Sequence, residues 1–306
     1  MKNINNCMRT ILQRICAAVL TMICGMQTHA QLQRLPVAEV SYEPSRLKND
    51  TTNGALKNIS VFVNLPVMNR EKVKMGGRIG YQHVQITDLG AALDHSLTAL
   101  EGNLFRLRKL DERHQLHFTI QAGIYSDFKD LQTDDLRYRL SFSYLVKHSE
   151  SFSTGWGMAY ARQFFGHQIN PFILINYQIN EKLKLSGLFP IRPVLTYQLS
   201  KRFSWVNELT GTVQSFRLSD NGNDQRNGFI QLSGWKILSS GKMLVGKRHL
   251  FSAGIGFALR QNTSYYEDDG SRNWKLFTFD LSEKNPPVRS VNTKGVSFMI
   301  GYDLIL

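Results

Sequence analysis

Basic side chains recur at even spacing in three stretches of the sequence, each interleaved with apolar residues. The pairs are Lys74 and Arg78, Arg106 and Arg108, and Arg137 and Arg139. Residues two or four positions apart lie on one face of a β-strand, and guanidinium and ammonium groups bind anions through charge-assisted hydrogen bonds. If these stretches are strands of one sheet, the sequence predicts a basic wall that favours anionic solutes.

The same face would carry further polar residues. An arginine or lysine that faces lipid costs about 2–4 kcal/mol at the middle of a bilayer, so we expect these charges to point into a polar interior. The candidate lumen-lining residues are Lys74, Arg78, Arg106, Arg108, His117, Gln121, Arg137, Arg139, Glu208, Asp280 and Asp303. The three carboxylates support an alternative in which they pair with the arginines and fill the interior, as side chains do in small barrels.

Two of the residues could carry catalysis. A regular hairpin around 126–134 would place His117 opposite Ser143, and a histidine beside a serine can activate the hydroxyl as a nucleophile. No acidic residue that would orient His117 is identifiable in the sequence. The sequence is therefore interpreted as that of a non-enzyme, with a lipase or acylase as the minor alternative.

One acidic cluster could bind a cation. Residues 266–270 include Glu267, Asp268 and Asp269, and carboxylates in a loop can hold calcium. The regular alternate ligand spacing and the distal glutamate of a calcium loop are missing. We expect a solvated turn, and the sequence predicts no metal and no cofactor.

The elements that would position these side chains are β-strands. Apolar residues alternate with polar or small ones over runs of about ten residues, the length that crosses a bilayer at a tilt. The predicted strands are 58–67, 72–86, 103–110, 114–126, 135–147, 153–165, 170–179, 182–189, 192–199, 202–216, 228–238, 249–261, 273–282 and 294–306. We predict an all-β fold, an antiparallel transmembrane β-barrel of fourteen strands, or twelve because Pro190 and Pro193 weaken the 182–199 pair.

A soluble β-sandwich would show the same alternation, with one face in a core and the other in water. Three features favour the barrel. On one face of the predicted strands the side chains are too small for a solvent-exposed face, as at Gly254, Gly256 and Ala258. Aromatic residues such as Tyr125 and Phe164 lie near strand ends, like an interfacial girdle. The single period also extends over roughly 250 residues, more than an ordinary sandwich contains.

The predicted connections are unequal in length. Those at 180–182 and 200–202 are very short, whereas those at 127–135, 219–227 and 267–273 are longer and acidic. Short turns on one rim and long loops on the other are typical of membrane barrels. The acidic loops support a further alternative, an interaction barrel that binds a partner through them.

Residues 1–30 have the three parts of a secretory signal peptide. Lys2, Arg9 and Arg14 precede an apolar run at 15–25, and 28–30 (Thr-His-Ala) is a small-x-small cleavage site. The apolar run is short for a membrane-spanning helix, which disfavours the alternative of an uncleaved anchor. Without these three cations the net charge of +13 falls to +10, which suits anionic solutes or lipid headgroups better than nucleic acid.

All three cysteines lie within this predicted signal peptide, at Cys7, Cys16 and Cys24. Cleavage would therefore remove every disulfide and every thiolate site. Lipid attachment at Cys24 is disfavoured because the bulky Ile23 precedes it, where that signal requires a small residue.

The last predicted strand is the most regular. Its apolar residues are Val296, Phe298, Ile300, Tyr302, Leu304 and Leu306. This pattern resembles the final strand of outer-membrane barrels, which closes against the first strand and is recognised by the barrel-assembly machinery. Leu306 departs from that pattern, since the terminal residue is usually aromatic.

Several stretches resemble the uncharacterised outer-membrane β-barrel families of exported bacterial proteins. These are the junction Ala30-Gln31, residues 165–190, and residues 194–202. The resemblance covers most of 31–306, and its motifs are hairpin patterns, not catalytic signatures. It implies a barrel fold and a location in the bacterial outer membrane, with no established activity.

The sequence thus predicts three segments: a cleaved signal peptide at 1–30, an N-terminal arm at 31–57 in or under the barrel, and an outer-membrane β-barrel at 58–306. The predicted function is passive, a porin-like channel or structural barrel with a basic lumen wall. The expected partners are outer-membrane lipids, the barrel-assembly machinery through the C-terminal strand, and small anionic solutes.

Overall fold

The computed structural model describes residues 36–219, 228–267, 273–277, 279–281 and 286–305. Residues 35–306 form one compact unit. The predicted signal peptide at 1–30 lies outside the described residues, as do Leu306 and most of the 219–227 and 267–273 loops.

Strands account for most of the described residues. Their bounds are β1 Pro36–Lys48, β2 Asn53–Asn69, β3 Val73–Thr87, β4 Ser96–Lys109, β5 His114–Ser126, β6 Leu136–Lys147, β7 Phe152–Gln163, β8 Gly166–Gln178, β9 Leu183–Phe189, β10 Arg192–Gln198, β11 Phe203–Arg217, β12 Phe229–Val245, β13 His249–Tyr266, β14 Trp274–Leu276, β15 Phe279–Asp280 and β16 Arg289–Ile305. A 3-10 turn at Thr133–Asp135 precedes β6. In the part of the chain that the structure describes, no helix is both long and apolar enough to cross a membrane.

β1 to β13 and β16 form a closed ring in which neighbouring strands pair antiparallel. β16 closes the ring against β1, where Tyr42 pairs with Ile300 and Leu47 with Gly295. The pairing of β8 with β9 completes the circuit. The protein is therefore an all-β antiparallel barrel of fourteen strands, which confirms the predicted fold class.

The fourteen strands are not the fourteen predicted. Residues 273–282 are expected to span the barrel wall, but the described ones form only β14 and β15, which pair with each other. β14 also pairs with residues 167–169 of β8. Residues 36–48, expected in an arm, form β1, and 53–57 belong to β2. The prediction includes a barrel strand at 273–282 that does not form and omits β1, so the predicted number of strands is still fourteen.

β1 was missed because its apolar residues are sparse and Pro44 interrupts them. Proline has no N–H to donate to a ladder. The β1–β16 ladder is accordingly broken at 43–44, between the Tyr42–Ile300 and Ser45–Ser297 pairs. The strand still forms because its ladder to β2 is continuous from residue 38 to residue 48.

Two contacts identify the inner face of the ring. Gln214 of β11 donates a hydrogen bond of 3.1 Å to Gln82 of β3, and Lys236 of β12 forms an ion pair with Glu43 of β1. Neither pair of strands is adjacent in the ring, so these side chains meet across the lumen. Because directly opposite ladder partners share a face, the registers then assign the other strand residues to the inside or the outside.

The outer face is apolar, with large side chains open to the surroundings. Ile79, Leu104 and Phe298 are 58%, 62% and 58% exposed there. Outward aromatic rings pair near one rim of the barrel: Tyr144 with Trp156, Phe152 with Tyr177, and Phe251 with Tyr302. An apolar band bordered by aromatic rings is the surface of a membrane-spanning barrel.

The two rims differ in their connections, as the sequence predicts. One rim, here called the turn rim, carries short turns at 70–72, 110–113, 148–151, 179–182, 199–202 and 246–248. The other, the loop rim, carries the longer connections 88–95, 127–135, 218–228 and 267–288. β9 and β10 are shorter than the other barrel strands, with 7 residues each.

Aromatic rings on the inner face lie over glycines of the adjacent strand. A Cβ on Gly76 of β3 would come within 2.5 Å of the Phe105 ring of β4, and a Cβ on Gly80 would meet the Phe62 ring at 2.6 Å. Only a glycine leaves room for these rings. The rings therefore lie against the wall at β3. On β13 the cause is different, since a Cβ on Gly254 or Gly256 would meet Ser240 or Ser297 of an adjacent strand.

The hydrophobic core lies at the loop rim. We call it the loop-rim plug; its buried members are Leu47, Val84, Ile86, Leu89, Leu93, Leu97, Ala99, Tyr125, Phe164, Phe165, Phe216, Phe229, Ile230, Leu232, Tyr265 and Val291. Next to it, Arg217 at the end of β11 pairs with Ser126 of β5, on the far side of the ring. The plug closes the loop end of the lumen. Tyr125 and Phe164, expected in an aromatic girdle, belong to it.

Candidate functional site

β6 presents a basic residue to the open part of the lumen. Arg139 faces inward, since its ladder partners are Gln121 and Ala161 on the inner face. It is nevertheless exposed, so solvent reaches its guanidinium inside the barrel. Among the ion pairs of the described residues, none involves Arg139.

Further cations line the lumen between Arg139 and the turn rim. Lys74 shares the inner face of β3 with Arg78, and Lys184 of β9 lies opposite Gln178 of β8 on the inner face. Lys242 of β12 faces inward near the turn rim, where its charge acts on Glu208 and Asp303. The cations of this lower lumen come from strands all around the ring.

Two of the lumen carboxylates, Glu39 and Glu208, are paired with cations of other strands. The Arg78 guanidinium donates to Glu39 of β1 at 3.1 Å and stacks over the Phe62 ring. The Arg192 side chain of β10 donates two hydrogen bonds to Glu208, at 2.8 and 3.1 Å. Glu208 is therefore not the partner of Arg137 or Arg139 that the filled-interior alternative predicted.

Arg106 and Arg108 do not line the lumen. On β4 the inner face is carried by Asn103, opposite Arg78, and by Phe105, so Arg106 and Arg108 have the outward parity. Both are exposed, and Arg106 lies opposite the outward Phe118. They lie within the last turn-rim residues of β4, where the cost of a lipid-facing cation falls to about 0–1 kcal/mol and an arginine stem can extend along apolar surface to reach water.

The two remaining acidic candidates separate. Asp303 of β16 faces the lumen opposite Glu39. Asp280 belongs to β15, which is not a barrel strand, and its side chain lies outside the described set. The prediction of Asp280 in the lumen wall depended on the spanning strand at 273–282 and is wrong with it.

The predicted register of the β5–β6 hairpin is correct, and His117 lies opposite Ser143 on the inner face. The ring contact of His117 is with Phe105, edge to face at 6.1 Å. Within the described chain, no hydrogen bond joins His117 to Ser143 or to a carboxylate. The nearest acidic group in the ladder, Glu101, is instead bonded to Gln121 and Tyr125 at 2.7 and 2.6 Å.

Arg137 belongs to the plug and not to the open lumen. It faces inward two residues above Arg139 but is only 8% exposed. Its guanidinium stacks over the Phe164 ring and donates to the carbonyl of Asp134. Its charge is therefore used to hold the 127–135 loop and the 163–166 turn together.

A buried ion pair joins the 127–135 loop to the end of β11, on the far side of the ring. Arg217 of β11 is paired with Asp135, and the two side chains are 6% and 0% exposed. Arg217 also donates to the carbonyl of Asp130 at 2.7 Å. A buried pair of this kind is costly to break, because either partner alone is left as an uncompensated charge.

Two acidic residues of this loop, Asp127 and Asp135, are turned towards the protein, whereas Asp130 and Asp134 are exposed. The hydroxyl of Ser219 donates to Asp127, and the backbone N–H of Asp130 donates to the Ser219 hydroxyl at 2.8 Å. Asp127 and Asp135 thus hold the loop at the mouth of the barrel, and Asp130 and Asp134 lie on its exposed surface. The other two loops named for the interaction alternative lie mostly outside the described residues.

The neighbouring 88–95 loop carries a titratable group outside the barrel wall. Burial lowers the pKa of His95, and the charge of Lys129 lowers it further, while Asp127 and Asp94 act in the opposite direction. The backbone N–H of Ile86 donates to the carbonyl of His95 at 2.9 Å. His95 thus connects the base of this loop with the 127–135 loop.

Metal-ligand clusters do not occur in the described ranges: no group of three or more His, Cys, Asp and Glu side chains could hold an ion there. Of the 266–270 cluster, only Tyr266 and Glu267 are described. The calcium alternative for that cluster lies outside the described residues.

The sequence interpretation omits at least seven charged lumen residues of the described chain: Glu39, Glu43, Glu101, Lys184, Arg192, Lys236 and Lys242. Glu39 and Glu43 were lost with β1, Lys236 was not considered, and Lys242 lies beyond the end of the strand predicted at 228–238. Their signal was present, since each alternates with outward apolar residues such as Val40 and Ile237.

A family model covers most of the chain. The family described as "Domain of unknown function (DUF6268)" matches residues 26–282. The chain belongs to this family. DUF6268 thus contains at least one fourteen-stranded closed barrel, and its matched region ends before β16, the strand that closes the ring.

Several solved barrels are similar to this DUF6268 chain. The COG4313 outer membrane channel from Pseudomonas putida F1 is 11% identical, with 92% of this chain and 100% of that chain covered and a TM-score of 0.45. The NanC porin is 7% identical, with 87% and 100% covered and a TM-score of 0.41. The TodX monoaromatic hydrocarbon channel is 7% identical, with 88% and 89% covered and a TM-score of 0.38. No curated protein matches the sequence.

Proposed function

We propose that this protein is an outer-membrane channel that prefers small anionic solutes and is closed at its loop rim by the plug. The observation that carries the proposal is Arg139, which faces the lumen, is exposed to solvent there and takes part in no ion pair among the described residues.

The lower lumen supports the preference for anions. Glu39, Glu43 and Glu208 are each neutralised by a cation of another strand. Four lumen cations take part in no ion pair among the described residues: Lys74, Arg139, Lys184 and Lys242. They outnumber the two lumen carboxylates that are likewise without an ion pair, Glu101 and Asp303, so the charge balance of the water-filled part of the barrel is positive. Rings of arginine or lysine select for anions in pores.

The width of the ring supports a channel. Barrels of eight strands are filled by their own side chains, whereas those of 16–18 strands leave an aqueous channel. This ring has fourteen strands, and its inner phenyl rings lie over glycines, which keeps them close to the wall.

The closure at the loop rim implies a gate. Passage would require the 127–135 loop to separate from the end of β11, and Arg217 with Asp135 is the strongest link between them. Truncating one member of a buried ion pair costs about 3–5 kcal/mol, so Asp135→Asn should open the mouth.

Single-channel recording in planar bilayers tests the proposal. We expect rare openings for the wild type and frequent openings for Asp135→Asn. Asp111→Asn, which removes a carboxylate bonded to His114 in a turn-rim connection, is the matched control and should behave as the wild type. Folded protein that never conducts, in the wild type and in Asp135→Asn, would contradict the channel and leave a structural barrel.

A further inference from the structure

A group of cations lies on the outer surface of the barrel, at the loop rim. Its members come from four neighbouring strands, β2, β1, β16 and β13, and all are exposed: Arg46, Lys48, Lys57, Arg260 and Lys294. We call this set the rim patch. It has no part in the lumen, because each member has the outward parity of its strand, as shown by the ladder pairs of Arg46 with Val296 and Lys57 with Pro44.

The centre of the rim patch is a pair of like charges. Lys48 and Lys294 are directly opposite each other in the β1–β16 ladder, which places their Cβ atoms about 5 Å apart. Like charges in this position destabilise a sheet. Arg46 lies two residues along β1 on the same face, and Lys57 is diagonal to it on β2.

Within the described part of the chain, no carboxylate is paired with the cations of the rim patch. Arg260 donates a hydrogen bond of 3.4 Å to the side-chain oxygen of Asn292, a neutral acceptor. Asp50, in the adjacent turn, forms no ion pair with the patch in the described structure.

The opposite sector of the same rim has another composition. There the outward residues are mostly aromatic: Tyr138 packs against Tyr160, and the Tyr160 hydroxyl is hydrogen-bonded to His167 at 2.7 Å. A single arginine, Arg162, lies among them, opposite Tyr138. Aromatic residues are the usual boundary of a barrel's apolar band. The cations of the rim patch therefore replace the girdle in one sector, directly above the outward Val296, Phe298 and Ile300.

The position of the rim patch indicates which class of ligand it meets. In a barrel the loop rim faces the outside, and a cation at the edge of the apolar band meets the headgroups of the outer leaflet. Clustered lysine and arginine side chains near a membrane attract anionic headgroups, with about 1 kcal/mol for each cation. Phosphate offers several strong acceptor oxygens to guanidinium and ammonium groups.

We propose that the rim patch binds the phosphate groups of an outer-leaflet lipid, with Lys48 and Lys294 on either side of one phosphate. Binding would relieve the repulsion between the two lysines and would hold one lipid against β1 and β16, the strands that close the ring. The site is independent of conduction, because it lies outside the lumen.

Native mass spectrometry of the detergent-solubilised protein tests this proposal, with bis-phosphorylated lipid A as the probe. We expect the wild type to retain the probe, and Lys48→Gln/Lys294→Gln to bind it about 30-fold more weakly, the effect of two cations at a membrane surface. The matched control is Arg106→Gln/Arg108→Gln, which removes two exposed outward cations at the turn rim. Unchanged heat-modifiable migration in electrophoresis shows that each variant is folded.

The outcomes separate the sources of the phosphate. Retention of phosphorylated lipid A but not of dephosphorylated lipid A, with loss only in the Lys48/Lys294 variant, is the expected result. Displacement of the lipid by millimolar inorganic phosphate would overturn the proposal in favour of a free-anion site. Equal retention by the wild type and the Lys48/Lys294 variant, or equal loss in the control, would also overturn it.

Discussion

Arg139 and Arg106 lie on nearby strands and carry the same charge, but they face different media. Arg139 on β6 points into the barrel and is exposed there, whereas Arg106 on β4 points outward near the turn rim. The parity of each strand decides this difference. Of these two arginines, only Arg139 is therefore placed to contribute to an anion pathway.

Thiol labelling can read this difference directly. The native cysteines all precede residue 30, in the predicted signal peptide, so a single introduced cysteine is a clean probe. We expect Arg139→Cys to react with a charged thiol reagent at least about tenfold faster than a cysteine without access to water. The reaction should come from the turn-rim side in oriented vesicles.

Leu97→Cys is the buried control, since Leu97 is 0% exposed in the plug. Equal reactivity of the two thiols, or labelling of Arg139→Cys only from the loop side, would show that the lumen is not closed where the plug lies. Mass spectrometry of the labelled protein gives both rates.

The sequence alone does not decide which residues of β4 face the lumen. Leu104, Phe105, Arg106, Leu107 and Arg108 offer apolar residues on both faces, and the rule that arginine avoids lipid favoured the wrong one. The rule fails near a rim, where the cost of a lipid-facing arginine falls to about 0–1 kcal/mol. The deciding contact is Phe105 over Gly76, a cross-strand fit that no single strand reveals.

At the scale of elements, this glycine–phenylalanine contact joins β3 to β4 and keeps a phenyl ring against the wall. A methyl group at residue 76 would overlap the Phe105 ring. Gly102 lies on the outer face of β4, where a methyl group would have no other atom within 4 Å, and so it offers a matched comparison.

We expect Gly76→Ala to lower the free energy of unfolding by about 1–3 kcal/mol, the usual cost of overpacking. Gly102→Ala should change it by no more than about 0.5 kcal/mol, as surface substitutions do. Urea unfolding in lipid vesicles measures both. An equal effect of the two substitutions would refute the role given to the Phe105 ring.

The closure of the 88–95 loop should depend on pH through His95. Its pKa in the folded loop is lowered from 6.5 by burial and by Lys129, so the closed loop binds a proton less readily than the open one. The stabilisation is complete above pH 6.5 and declines as the pH falls from there towards the folded pKa. Acidification should therefore loosen this loop.

Hydrogen exchange of residues 88–95 between about pH 8 and pH 5, corrected for the intrinsic rate, measures the effect. Protection should decrease at the acid end in the wild type and remain constant in His95→Gln. A pH dependence that persists unchanged in His95→Gln would contradict the role given to His95.

Element boundaries were predictable where apolar residues alternate without interruption, as in β5 and β6. They were not predictable for β1, whose outward face contains Pro44 and Arg46 beside Val40 and Tyr42. Tertiary pairing on both edges compensates for the weak local pattern there. In the connection between β13 and β16 the sequence predicts a barrel strand that does not form. An apolar stretch with the right period forms only the short β14 and β15 there.

At the scale of the whole molecule, the barrel combines an apolar outer band, an inner face that carries charged side chains, and a buried plug at the loop rim. The first two follow from alternation and are visible in the sequence. The plug is not, because its members come from strands as distant as β1 and β16, and from turns such as 163–166. The ion pair of Arg217 with Asp135, 82 residues apart in the chain, is equally invisible before the strands are closed into a ring.

The reversal potential of Asp135→Asn channels in a potassium chloride gradient gives the sharpest test of an anion-preferring lumen. The lumen described above predicts a reversal potential shifted towards the chloride equilibrium potential, and a smaller shift when Arg139→Gln is added. A reversal potential on the potassium side, or one that Arg139→Gln leaves unchanged, would contradict that preference.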